Sequence, residues 1–138
     1  MTRKINRKAE NPQRSSEYFS LAHQFMEAAA LAMEYEYWNA AGILIAHSAI
    51  AFSDALTIKF GGVKSHSNNH GDAVPLITEL LQLSNDDKKS LMNFQKIIGE
   101  KNRMSYCGEQ YTEKTIEPFW KQLARYKSWV KSKMDSRN

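Results

Sequence analysis

Apolar residues recur at helical spacing along most of the chain, and this pattern predicts an all-α protein. The first stripe follows Asn11-Pro12, which has the form of an N-cap with proline at the first helical position, and it ends near Glu36. Steps of three and four residues place its members on one face of a helix of about six turns. These members are Tyr18, Leu21, Phe25, Ala28, Ala32 and Tyr35.

A second helix is predicted from Trp38 to Phe60, because Gly61-Gly62 then provides a pair suited to a left-handed C-terminal cap. Its stripe of small residues predicts the close approach of a neighbouring helix. This stripe consists of Gly42, Ala46, Ala49 and Ser53. His47 and Asp54 lie two turns apart on another face, where each is a candidate functional group or a polar side chain satisfied by its surroundings.

Glycine, serine and asparagine predict a polar loop between the second helix and the next apolar segment. His66 and His70 lie in this loop without an evident third ligand, so no metal site is expected. A short helix should follow Asp72. Ser84, with Asp87 three residues later, resembles a capping box and predicts that the next helix opens at about Asn85.

Two further long helices complete the predicted architecture. The fourth helix should end at Gly108, and Thr112 or Thr115 should cap the last one. Short connections favour antiparallel neighbours. We therefore expect residues 1–138 to form one domain, an antiparallel up-and-down bundle of four long helices and one short helix, with residues 1–11 as a flexible basic arm and without strands.

Composition narrows the cellular setting. The chain of 138 residues has one cysteine, Cys107, so an intrachain disulfide is excluded and a reducing compartment is expected. The basic start has no apolar stretch behind it, unlike a secretory signal. The run from Ala40 to Ile58 is long enough to cross a membrane, but its histidine, serines and aspartate favour a buried bundle helix. We expect a cytoplasmic protein without a membrane partner.

The net charge of +4 is concentrated at the two ends of the chain. Basic residues precede the first helix and line the last one, and this distribution is compatible with a polyanionic partner such as nucleic acid. A solvated basic face is the alternative interpretation of the same pattern.

A polar group follows the apolar part of the fourth helix, in the segment KNRMSYCG. Asn102 and Tyr106 are one turn apart on one face, whereas Lys101 and Tyr106 are about 140° apart around the axis. A cation near a helix C-terminus and a tyrosine at the bundle end have a structural interpretation as well. For a shared site, a second surface has to close the groove.

This segment is one of three that resemble the HEPN family (higher eukaryotes and prokaryotes nucleotide-binding domain). The others are YFSLAHQFMEAAALAMEYEYWNAA, similar to the opening helix and the start of the second, and HSAIAFSDALTIKFGGVKSHS, similar to the central helix and its following loop. KNRMSYCG falls where the family carries Arg-Asn-x-x-x-His or Arg-Asn-x-x-x-Tyr. The likeness runs from about Tyr18 to Met134 and implies a bundle fold.

In active members of the family, Arg-x(4 to 6)-His motifs from two protomers meet at a dimer interface and cleave RNA without metal. The resemblance implies that Lys101 takes the arginine position, Asn102 the next polar position and Tyr106 the histidine position. Arg103 beside them, and His47 and Asp54 on the second helix, are further candidate ligand contacts. Lysine lacks the bidentate fork of arginine, and tyrosine, with an ordinary pKa of about 10, is a weak base at neutral pH.

Three functional hypotheses follow. The first is a homodimer that binds a nucleotide or RNA with little or no catalysis, without a cofactor, and that acts with a nucleotidyltransferase partner. The second is a toxin-type endoribonuclease that needs no metal and uses Lys101, Asn102 and Tyr106 as catalytic residues. The third is a structural bundle for protein interaction, in which the basic ends serve solubility.

Overall fold

The computed structural model describes residues 7–65 and 72–136, and it shows an all-α bundle with one small sheet. The helices are α1 (Ser15–Glu34), α2 (Trp38–Gly61), α3 (Ala73–Leu80), α4 (Asn85–Tyr106) and α5 (Glu113–Asp135). A 3-10 turn over Pro12–Arg14 leads into α1. The strands β1 (Arg7–Ala9) and β2 (Val63–Ser65) pair antiparallel.

The predicted helix ends that depend on a local capping signal are confirmed. The Asn11 side chain accepts a hydrogen bond from the Gln13 amide at 2.9 Å, so the helical segment begins at Pro12 as expected. Gly62 closes α2 with a φ of 63°, in the left-handed region. At the start of α4, the Ser84 amide donates to Asp87 and the Asp87 amide donates to the Ser84 hydroxyl, which forms the capping box.

α2 lies at the centre of the bundle and packs against α1, α3, α4 and α5. Its small-residue stripe is buried, and the close approach of a neighbouring helix that the sequence predicts is made by α4 and α5. The Ser53 hydroxyl, for example, lies 2.6 Å from the hydroxyl of Tyr126 on α5. The core is otherwise formed by large apolar side chains that are fully buried. These include Ile45, Phe52, Phe94, Ile97, Ile116 and Leu123.

α1 packs mainly on α2, and its buried strip is narrower than the predicted stripe. Ala22, Ala29 and Ala32 are buried, and the Ser48 hydroxyl of α2 donates to the Ala22 carbonyl at 2.8 Å. Leu21 and Tyr35, at the outer edge of the predicted stripe, are exposed instead. The reason is that alanines let α1 approach α2 closely, while neither α4 nor α5 covers its remaining sides.

The small sheet departs from the sequence expectation of a flexible arm and a polar loop without strands. Part of the arm, Arg7–Ala9, pairs with Val63–Ser65 of the loop. Arg7 also forms an ion pair with Glu79 on α3, which ties the arm to the bundle. The rest of the predicted loop, with His66 and His70, lies outside the described residues.

Substitution of Gly42 tests the packing between α2, α4 and α5. A Cβ at this position would overlap Sδ of Met104 and lie 3.1 Å from Cδ1 of Ile116. We expect Gly42→Ala to lower the free energy of unfolding by about 2 kcal/mol, because both neighbours must shift. Gly99→Ala is the matched control: nothing lies within 4 Å of its added methyl group, and alanine should stabilise α4 by about 0.5 kcal/mol. Equal urea midpoints for the two variants would contradict this packing.

Candidate functional site

Lys101 lies on the inner side of α4, where it approaches α2. Its side chain is half-buried, and Met104, three residues later, is buried against Gly42 of α2. Burial lowers the pKa of His47, and the nearby charge of Lys101 lowers it further. The structure therefore places two candidates, Lys101 and His47, within electrostatic reach of each other, although they are 54 positions apart in the sequence.

The imidazole of His47 also contacts α1. Its ring centroid lies 5.7 Å from that of Phe25, at an interplanar angle of 34°. Ile43 and Ile50 share this face of α2 with His47, since they precede and follow it by one turn, and both are half-buried. We call the surface formed by Phe25, Ile43, His47, Ile50 and Lys101 the α1–α4 groove.

The α1–α4 groove has a positive charge without a carboxylate partner. Within residues 7–65 and 72–136, Lys101 makes no ion pair. His47, the polar residue whose pKa Lys101 influences, is neutral at pH 7 because this pKa lies below the ordinary value near 6.5. The lysine ammonium is thus available for an anion, and the neutral imidazole can donate or accept a hydrogen bond beside it.

Arg103 has a structural partner. Its guanidinium donates to both carboxylate oxygens of Glu109, at 3.1 and 2.9 Å, and lies 3.5 Å from Glu100. The hydrogen bond with Glu109 and the charges of both glutamates raise the pKa of Arg103. The side chain therefore holds the segment after α4 against the end of that helix, and it is less available than Lys101 for a ligand.

Tyr106 lies apart from Lys101 within a single chain. It is 81% exposed, and the five-residue spacing turns it about 140° away from Lys101 around α4. The side chain of Asn102 lies outside the described part of the structure. One chain thus presents Lys101 on a groove and Tyr106 on open surface, so the two residues face different directions.

The sequence did not single out two other tyrosines at the same end of the bundle. Tyr35 and Tyr37 are exposed and stacked, with ring centroids 6.0 Å apart. The Asn39 side chain donates to the Glu109 carbonyl at 2.7 Å and accepts from the Tyr111 amide at 2.8 Å, which joins the start of α2 to the segment after α4. In the sequence, the signal for this exposed pair of rings was the presence of two tyrosines, separated by one residue, directly before Trp38.

Asp54 has separate surroundings from those of His47. The two residues are two turns apart on α2, about 10 Å along its axis. Burial raises the pKa of Asp54 to about 7, and the positive charge of Lys64 on β2 limits the increase. A carboxyl group that titrates near neutral pH can exchange a proton under physiological conditions.

Among the described residues, no three His, Cys, Asp or Glu side chains are grouped as a metal site.

In comparisons with known proteins, no family model, curated protein or solved structure matches the chain. Within the same part of the chain, α2 alone has the length and apolar composition of a membrane span, and 72% of its most apolar window is buried inside the protein.

Proposed function

We propose that this protein is a HEPN-like dimer that binds the phosphate of a nucleotide or RNA in the α1–α4 groove, with little or no catalysis. The observation that carries the proposal is the half-buried side chain of Lys101, which has no ion-pair partner among the described residues and lies within electrostatic reach of the neutral imidazole of His47. A lysine binds phosphate as a compact point charge, and partial burial strengthens that attraction.

The apolar part of the groove suits the rest of such a ligand. The Phe25 ring and the side chains of Ile43 and Ile50 offer a half-buried surface next to the cation. Single-stranded RNA is commonly bound by a positive groove that follows the backbone and by aromatic rings on which bases stack. The exposed rings of Tyr35, Tyr37 and Tyr106 provide such stacking surfaces at the end of the bundle.

Two features support the up-and-down arrangement that the HEPN resemblance implies. Phe19, near the start of α1, contacts Phe52, in the second half of α2, with ring centroids 5.2 Å apart. Asp87, at the start of α4, accepts a hydrogen bond at 3.0 Å from Lys133, near the end of α5. Each contact joins the first half of one helix to the second half of the next long helix, as in antiparallel neighbours.

A second copy of the chain would complete the site. Lys101 and Tyr106 face different directions, so a ligand that contacts both residues needs one of them from each protomer. α1 and the residue that follows it also expose apolar side chains, with Leu31 56% and Tyr35 68% exposed, and such surface suits a protein interface. We further propose that this dimer acts with a nucleotidyltransferase partner.

Lys101→Ala tests the proposed site directly. We expect this variant to bind a short single-stranded RNA or ATP at least tenfold more weakly, which corresponds to about 1.4 kcal/mol, because the groove loses its fixed cation. Lys96→Ala is the matched control, since it removes an exposed lysine from the same helix. Binding is measured by fluorescence anisotropy, the melting temperature by circular dichroism, and the dimer by light scattering at micromolar concentration.

The outcomes separate the three hypotheses. Equal affinity in Lys101→Ala and Lys96→Ala would contradict the proposed groove, and a wild type whose melting temperature no nucleotide or RNA raises would favour the structural bundle. The endoribonuclease has one observation in its favour, since the neutral imidazole of His47 can accept a proton. RNA cleavage in the presence of a chelator, lost in His47→Gln or in Tyr106→Phe, would establish catalysis and identify the base.

A further inference from the structure

A second basic surface lies on the opposite side of α1. A cavity of about 230 Å³ opens where the start of α1 meets the ends of α2 and α5. Lys59 and Lys131 supply positive charge, Ser15 and Ser16 supply hydroxyl groups, and Phe19 supplies an apolar wall. Met134 and Asp135 complete its lining. The cavity therefore offers two cations and two hydroxyl groups, next to one carboxylate and an apolar wall.

His23 extends this surface along α1. Its ring lies one turn from Phe19, with centroids 4.9 Å apart, and also contacts Phe52 of α2 at 5.6 Å. Burial lowers the pKa of His23, the charges of Lys127 and Lys131 on α5 lower it further, and Glu27 opposes them. The imidazole thus lies within the electrostatic reach of two lysines.

The cations of this surface have few partners within the chain. Among the described residues, Lys59, Lys127 and Lys131 form no ion pair, although Lys59 donates a hydrogen bond to the Met134 carbonyl. Neighbouring like charges repel, and the repulsion is relieved when an anion binds between them. α1 packs mainly on α2, so its seam with α5 remains open to such a ligand.

We propose that this seam, the α1–α5 groove formed by Phe19, His23, Lys59, Lys127 and Lys131, is a second binding site for a phosphoryl group. Two residue positions, and hence about 200° around α1, separate His23 from Phe25 of the first groove. The two grooves therefore lie on different sides of α1, and the second stands whether or not the first binds a nucleotide.

The size of the cavity limits what it can take. Pockets for whole drug-sized ligands usually measure about 300–1,000 Å³. A cavity of about 230 Å³ is smaller and fits a phosphate with its ester group, while the remainder of the ligand lies outside. A phosphodiester of an RNA backbone and a phosphomonoester of a small metabolite share this chemistry.

The imidazole resonances of the full-length chain provide the test. Inorganic phosphate is titrated at fixed pH and constant ionic strength while the C–H signals of His23 and His47, identified with His23→Gln and His47→Gln, are followed by NMR. We expect a saturable shift of His23. The double variant Lys127→Ala/Lys131→Ala should weaken this response at least tenfold, whereas Lys114→Ala/Lys121→Ala should change it less than about twofold.

The control pair removes the same charge from α5 at exposed positions outside the groove. Equal weakening by both double variants, or a His23 shift that never saturates, would overturn the proposal. Lys101→Ala should leave the His23 response intact, so failure of one groove is distinguished from failure of the other. Tighter binding of a short RNA than of a nucleoside monophosphate would identify a nucleic-acid backbone as the source, and the reverse order a small phosphate ester.

Discussion

Replacement of Asp54 by asparagine should stabilise the protein at pH 8 by roughly 4 kcal/mol and leave its stability nearly unchanged at pH 4. Asp54 has a pKa of about 7 in the folded chain because burial disfavours its charge. Its ordinary value in an unfolded chain is near 3.9. The folded state therefore binds the proton more tightly, and the wild type loses stability as the pH rises from about 4 to 7.

Urea unfolding at pH 4 and pH 8 measures this effect. Asparagine keeps the shape of the side chain but has no charge to bury. The difference in free energy of unfolding between the variant and the wild type should therefore grow with pH. Glu117→Gln, at an exposed position of α5, is the control and should show no comparable growth. A gain for Asp54→Asn that is equal at both pH values would show that Asp54 does not titrate near neutrality.

Removal of the Asp87 carboxylate should have the opposite effect, a loss of about 3 kcal/mol at pH 7. Asp87 is 8% exposed and accepts hydrogen bonds from the Ser84 amide, the Trp129 indole and the Lys133 ammonium, at 2.9, 2.9 and 3.0 Å. In Asp87→Ala the start of α4 loses half of its capping box. Lys133 and Trp129 on α5 are also left without their acceptor.

The protonation of Asp87 should also make the free energy of unfolding depend on pH in the acid range. Burial alone would raise the pKa of Asp87, but the hydrogen bonds from Trp129, Ser84 and Lys133 outweigh it and lower the pKa to about 2. The contribution of the Asp87 carboxylate to the free energy of unfolding is thus complete above about pH 4 and is lost as the pH falls towards 2. The cost of Asp87→Ala should shrink by about 1 kcal/mol between pH 7 and pH 3.

Asp86→Ala is the control for this variant. Asp86 precedes Asp87 and has an exposed side chain that lies 3.7 Å from Lys89, an arrangement that contributes little to stability. The free energy of unfolding, measured with urea, should therefore change by less than about 0.5 kcal/mol. Similar losses in Asp86→Ala and Asp87→Ala would mean that only helix-end charge matters, and that the contacts with α5 contribute nothing.

The helices were predictable because their signals are local. Asn11-Pro12, Gly62 and the Ser84/Asp87 box act within a few residues of the helix end that they define, and the structure has all three where the sequence placed them. The sheet was not predictable in this way. β1 and β2 are three residues each and are 54 positions apart between Ala9 and Val63, so their pairing depends on how α2 and the bundle bring them together.

The candidate site shows the same division between local and long-range information. The positive charge of Lys101 and the turn of α4 that separates it from Tyr106 follow from the sequence and from helical geometry. The proximity of Lys101 to His47, the contact of His47 with Phe25 and the pairing of Arg103 with Glu109 do not. Each joins segments whose relative position is set by packing.

The sequence by itself determined that this chain is helical and where its capped helix ends lie, because caps and apolar periodicity act over one or two turns. Only the tertiary structure decided which sides of the helices remain open. α1 lies against α2 through alanines, and α4 and α5 pack on the other sides of α2. This packing leaves a groove on each side of α1, since the placement of one helix against another depends on side chains that are far apart in the chain.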